Sequence, residues 1–252
     1  MTKIEFGEIC IRCSALYYLF MDPKTKAAKE AGELGETAKS HLINTYIWEK
    51  YRRRKSVSTP AMEKGKLVQA EAIAMCSRMH GVSYEPNDER RSNGFITGET
   101  DVSVPLILDV KASWEAETFL AKLKSGVDPI YAAQVQGYMW LWDQPCALVS
   151  YCLVSTPDVI LAGERRKLFY AMNCATEDDP AYQDAVAGLE YNLVFDDIPE
   201  EERVLTFEMP RDDAMIARIP EKVERAREFL VDFANQHNKF IEKYKARHEA
   251  VI

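Results

Sequence analysis

The chain has 252 residues, of which 47% are hydrophobic and 29% charged, with a formal net charge of −8. That is the composition of a globular protein with a sizeable core, and it excludes disordered and fibrous classes. The acidic balance also argues against a protein that coats nucleic acid with its whole surface. It leaves room for a local basic groove beside a cluster of acids.

One domain spanning residues 1–252 is the expectation, with a helical N-terminal part over about 10–60. No run approaches the ~18 apolar residues of a membrane span. The start, Met1 to Glu8, carries acids where a secretory signal wants bases, so a cytoplasmic location and no membrane partner are expected. Residues 22–34 are polar and turn-rich and read as a loop. Glu36 to about Arg53 reads as a helix, with Leu42, Ile43, Tyr46 and Ile47 at helical spacing. The basic run Lys50, Arg52, Arg53, Arg54 and Lys55 closes it. Such a run suits the negative end of a helix dipole and is also a candidate phosphate-gripping patch.

Thr59-Pro60 opens a second helix over roughly 61–79. Residues 94–102 and 105–111 read as two strands of a hairpin turning at Ser103. Residues 129–143 form an aromatic-rich amphipathic helix, Ala147–Val154 a buried strand, and about 220–246 a long final helix. That helix carries Val223, Ala226, Leu230, Phe233 and Phe240 along one side. An assembly role for it competes with packing inside the chain. The order of elements predicts an α/β fold with a small mixed β-sheet flanked by α-helices. The six cysteines read as reduced thiols, mostly in the core; Cys10-x-x-Cys13 lacks the second close pair of a four-thiolate site.

The chemistry begins at Asp109-Val110-Lys111. Alternation along a strand puts Asp109 and Lys111 on one face of an otherwise apolar segment, where charges must be paired or bind a metal. An ordinary salt bridge at a strand end is the plainer alternative. Asp101, at the end of the preceding strand, is placed to share an ion with Asp109. Gly98 permits close backbone approach, and Glu99 is a substitute ligand on the face of Asp101. Glu71 has Leu67, Val68, Ala74 and Met75 as helical neighbours. It is therefore expected within an apolar stripe, where a carboxylate needs a metal or a basic partner. Gln134 and Tyr138 share a helix face with Tyr131 and Trp142 and can hydrogen-bond a base, a phosphate or a catalytic side chain.

In combination, Glu71, Gly98-Glu-Thr-Asp101, Asp109-Val-Lys111 and Gln134-Val-Gln-Gly-Tyr138 resemble the RecB-like branch of the PD-(D/E)XK nucleases, which includes the phage lambda-type (YqaJ) exonucleases. Arg12–Leu16, Leu34–Lys39, Glu63–Lys66, Ser113–Phe119 and Asp197–Arg203 also look like phage-encoded relatives. The resemblance covers residues 10 to about 235, and its specific part runs from 64 to 138. Asp109 stands where many relatives have glutamate.

The resemblance implies a restriction-endonuclease-like core and a Mg²⁺- or Mn²⁺-dependent deoxyribonuclease. Its metal ligands would be Asp101, Asp109, the Val110 carbonyl and Glu71. Lys111, Gln134 and Tyr138 would complete the catalytic set. It implies an exonuclease acting on linear double-stranded DNA in recombination or DNA processing. Arg12, Ser14, Arg53, Arg90 and Arg91 are the candidate DNA contacts. A homo-oligomer and a strand-annealing recombination protein are the implied partners, in the cytoplasm of a bacterial host if the chain is phage-encoded. No iron–sulfur cluster is expected, because no cysteine follows Cys174. An endonuclease, a structure-specific trimming nuclease and a non-catalytic nucleic-acid-binding module of the same fold are the competing readings.

Overall fold

The computed structural model describes residues 6–53 and 58–249. Arg54 and Lys55 of the basic run lie outside the described residues. The chain opens with a short strand β1 (Ile11–Arg12) and two short helices, α1 (Leu16–Phe20) and α2 (Lys26–Glu30). The second of these interrupts the expected loop. Thr25 caps it by accepting from the Ala28 amide at 3.3 Å, a local signal within a polar segment. Helix α3 (Glu36–Tyr51) follows and ends at Arg52, which takes the left-handed conformation at φ 52°.

Thr59 caps α4 (Pro60–Leu67), with Pro60 in the first turn, as the sequence predicts. The expected single helix is two, because Val68 leaves the helical region at φ −102°, ψ 7° before α5 (Gln69–His80). Beyond it lie β2 (Arg91–Ser92), β3 (Ile96–Gly98) and β4 (Ile107–Ala112). Helices α6 (Ala116–Leu120), α7 (Lys122–Ser125) and α8 (Pro129–Trp142) lead to strand β5 (Cys146–Cys152). Next come α9 (Asp158–Met172) and α10 (Pro180–Leu193), then β6 (Val204–Pro210) and α11 (Asp213–Glu249). The last helix starts upstream of the expected Pro220. Asp212 caps it through the Met215 amide at 2.8 Å, and Pro220 sits inside it.

The strands form two small mixed sheets rather than one, in the orders β1-β3-β2 and β4-β5-β6. The expected hairpin shrinks to a single bridge, Val102 to Leu108, whose two reciprocal N–H···O bonds are each 3.1 Å. That bridge fastens the segment after β3 to the edge of β4. Strand β4 runs parallel to β5, with Asp109 beside Val149 and Lys111 beside Tyr151. Helix α8 packs on both sheets and α11 on α1 and α3, within a large apolar cluster. A second cluster joins Val68, Ala72, Met75 and Cys76 of the α4–α5 region to Leu108 and Val110. Of the apolar side of α11, Val223, Ala226 and Leu230 are buried and Phe240 is exposed.

Lys64 on α4 is fully buried. Its ammonium donates to the main-chain oxygens of Ser113 at 2.8 Å and Trp114 at 3.4 Å, and lies 5.0 Å from the Phe195 ring centroid. This clamps α4 to the segment leaving β4. Burial pushes the Lys64 pKa down from 10.5 to about 8. Between those values the unfolded chain binds the extra proton, so this lysine makes stability rise as pH climbs from 8 toward 10.5. Urea unfolding should show wild type gaining ~1–3 kcal/mol on Lys64→Met across that window. A pH-independent difference between the two would contradict the buried, charged lysine.

Candidate active site

Asp109 points inward from the middle of β4 and is 1% exposed. Two residues along, on the same face, Lys111 forms an ion pair with its Oδ2. That oxygen faces the ammonium yet accepts no hydrogen bond of ordinary geometry. Oδ1 receives a long contact from Gln134 Nε2 at 3.4 Å, and the same amide nitrogen lies 2.7 Å from the Tyr138 hydroxyl. The Lys111 ammonium also lies 4.6 Å from the Tyr131 ring centroid. The helical spacing of Tyr131, Gln134 and Tyr138 on α8 thus aims all three at one stretch of β4.

The bridge between Val102 and Leu108 brings Asp101 alongside. Asp101 Oδ2 accepts from the Val110 amide at 2.7 Å, and Oδ1 accepts from Gln69 Nε2 at 2.5 Å. Asn87 steadies this loop, its amide donating to the Asp101 carbonyl at 2.8 Å and its side chain to the Thr100 carbonyl at 3.1 Å. Gly98 makes the close approach expected of it. A Cβ there would lie 2.7 Å from both Cys13 Sγ and Tyr138 Cε1.

Asp101, Asp109, Val110, Lys111, Tyr131, Gln134 and Gln69 line one open pocket of about 440 Å³, floored by the α4–α5 region. Burial, reinforced by the Asp109 charge, raises the Asp101 pKa from 3.8 to about 6. Burial opposes the charge on Lys111, but Asp109 and Asp101 outweigh it and hold the ammonium above its usual pKa. Burial and the Asp109 charge also raise Tyr138, which stays a neutral phenol.

The raised carboxylate has a stability consequence. Since the folded state binds the Asp101 proton more tightly, ionising it costs stability. That cost is absent below pH 3.8, grows through the window and is complete above about pH 6. In EDTA, Asp101→Asn is expected to be more stable than wild type at pH 8 by about 1–2 kcal/mol, allowing for solvent screening. The gain should shrink at acid pH. Equal urea midpoints at pH 8 would show that the carboxylate is not strained.

Glu71 departs from expectation. It is exposed and does not line the pocket. The buried stripe of this region is Val68, Ala72, Met75 and Cys76, whereas Leu67, one turn before Glu71, is 57% exposed. The break at Val68 makes Gln69 the first residue of α5 and turns that residue, rather than Glu71, toward Asp101. Sequence reasoning missed Gln69 and Asn87. The only local signal was Gly65, a helix weakener in the turn before the break. Glu99 faces Arg90, which donates to it at 2.8 Å, and not Asp109.

The candidate DNA contacts are spread more widely. Arg12 and Ser14 are exposed on either side of buried Cys13. Cys13 packs against Gly98 and Gly137, and neither Arg12 nor Ser14 lines the pocket. Burial raises the Cys13 thiol to about 12, against the opposing pull of a main-chain hydrogen bond and the charges of Arg90 and Arg12. Arg91 pairs with Glu89 through two hydrogen bonds, at 2.9 and 3.0 Å, and lies 5.1 Å from the Trp142 ring centroid. Arg53 is exposed beyond the end of α3, outside this pocket. Cys76 and Cys152 are buried with their sulfurs 3.6 Å apart, while Cys10, Cys146 and Cys174 are half-buried rather than in the core.

This arrangement of short mixed sheets and flanking helices is that of the PD-(D/E)XK nucleases in their phage lambda-type exonuclease branch. The chain is similar to a phage-related exonuclease from Haemophilus somnus 129PT, at 29% identity over 91% of this chain and 97% of that one, with a TM-score of 0.73. It also shares the fold of the alkaline exonuclease LHK-Exo from Laribacter hongkongensis. There the identity is 14%, over 96% of this chain and 95% of that one, with a TM-score of 0.58. No family model matches the chain, and no curated protein matches it.

Proposed function

We propose that this chain is a divalent-metal-dependent deoxyribonuclease that degrades linear duplex DNA from an end. The observation that carries this reading is the convergence of Asp101, Asp109 and Lys111 in one open pocket, on a fold shared with phage-related exonucleases. A hard cation suits the pocket. Its donors are carboxylate, amide and main-chain oxygens, and the buried Asp109 carboxylate is balanced there only by the Lys111 ammonium and a long contact from Gln134. Asp101, Asp109 and the Val110 carbonyl would hold Mg²⁺ or Mn²⁺. When bound, the cation supplies Lewis-acid polarisation of a phosphate and a more acidic water.

The chain's own residues supply the rest. Lys111, kept protonated by its two acidic neighbours, donates to the attacking water or to a phosphate oxygen as charge builds there. Gln134 spans Asp109 and the Tyr138 hydroxyl and holds the carboxylate plane. Arg12, Ser14, Arg53, Arg90 and Arg91, outside the pocket wall, would grip the phosphate backbone. LHK-Exo has been solved in complex with dAMP, a mononucleotide of the kind released by stepwise cleavage, which supports the end-directed reading.

The test is digestion of matched linear and closed-circular duplexes with Mg²⁺ or Mn²⁺. Loss of the linear form alone supports an exonuclease. Cutting of closed circles replaces that reading with an endonuclease, and survival of both forms favours a binding module.

A further inference from the structure

Two carboxylates face the pocket, and the side chains that hydrogen-bond to them are two amides, Gln69 on Asp101 and Gln134 on Asp109. Gln69 donates to Asp101 Oδ1 at 2.5 Å, while the Val110 amide holds Oδ2 at 2.7 Å. Glu71, the nearest carboxylate on α5, is exposed and outside the pocket wall. Among the described residues, no group of three or more His, Cys, Asp or Glu side chains is placed to hold a metal ion. Lys111 adds a positive charge on the same face as Asp109.

The charge balance follows. One divalent cation between Asp101 and Asp109 meets two negative charges. A second would bring two more positive charges beside the Lys111 ammonium, and Glu99, the acid that shares a pocket wall with Gln69 and Asp101, is already paired with Arg90. We propose that the protein's own ligands hold a single divalent cation, and that Gln69, a neutral positioning residue for Asp101, is what withholds a second. This rests on the metal-nuclease reading above. The Gln69 amide fixes the plane of the Asp101 carboxylate without adding charge. A carboxylate in its place would let Asp101 bridge two ions.

The test counts ions directly, by Mn²⁺ titration followed by electron paramagnetic resonance, without DNA. Gln69 is exposed in the first turn of α5, where a glutamate suits the helix dipole, so Gln69→Glu is expected to fold. Wild type should bind about one Mn²⁺ per chain and Gln69→Glu about two. Gln69→Ala should bind about one, roughly tenfold more weakly. Asp109→Asn should lose the bound ion.

Two ions in wild type would overturn the proposal and leave the nuclease reading standing. One ion in both wild type and Gln69→Glu would overturn the role given to Gln69. Ions unaffected by Asp109→Asn would lie elsewhere and overturn the assignment to this pocket. No Mn²⁺ bound by wild type would overturn the metal-nuclease reading, and this inference with it.

Discussion

Replacing Lys111 by alanine is expected to lower the rate of DNA cleavage roughly a thousandfold. The ammonium lies on the same strand face as Asp109 and is paired with it in the pocket. The substitution has a second consequence. It leaves Asp109, 1% exposed, without its ion-pair partner, and an uncompensated buried charge costs about 3–5 kcal/mol. The metal-free variant should therefore melt well below wild type. A divalent cation should stabilise it more than it stabilises wild type, because the ion replaces the missing positive charge. Lys111→Arg keeps charge but changes shape, so it should recover stability better than rate. Calorimetry with and without Mn²⁺, beside single-turnover cleavage, separates the two effects. Full activity in Lys111→Ala would remove Lys111 from the site.

Gly98→Ala is expected to destabilise the protein by about 1–3 kcal/mol and to lower activity. The new methyl group would lie 2.7 Å from Cys13 Sγ and 2.7 Å from the Tyr138 ring, both buried. The Tyr138 hydroxyl meets Gln134, which reaches Asp109, so a displaced ring disturbs the carboxylate. Cys13→Ala in the same chain removes one of the two clashes and should restore part of the loss. A Gly98→Ala protein with wild-type urea midpoint and rate would show that the close packing here does not matter to the site.

The parts legible in the sequence were those with a strict period. Strand alternation put Asp109 and Lys111 on one face, and helical spacing put Tyr131, Gln134 and Tyr138 on another; these faces do meet. Gly98 was legible because the approach it permits depends on the residue type alone. Glu71 was misread because a 3.6-residue period was extended through a break at Val68. A change in backbone dihedrals at one residue redirects everything after it, and no apolar pattern marks it. The reduced hairpin has a similar cause. Residues 94–102 alternate well enough for a long strand, but pairing partners belong to tertiary structure. Here β3 pairs with β1 and β2, leaving one bridge to β4. Helices α9 and α10 and strand β6 carry no site residue, and the motif-led reading left that stretch unassigned.

The most direct test of the central claim is cleavage of linear duplex DNA by wild type and Asp109→Asn, each with Mg²⁺ and with EDTA. The account predicts cleavage by wild type with Mg²⁺, none in EDTA, and a residual rate roughly a thousandfold lower in a folded Asp109→Asn. Cleavage in EDTA, or an Asp109→Asn variant as active as wild type, would contradict a metal-dependent site built on Asp101, Asp109 and Lys111.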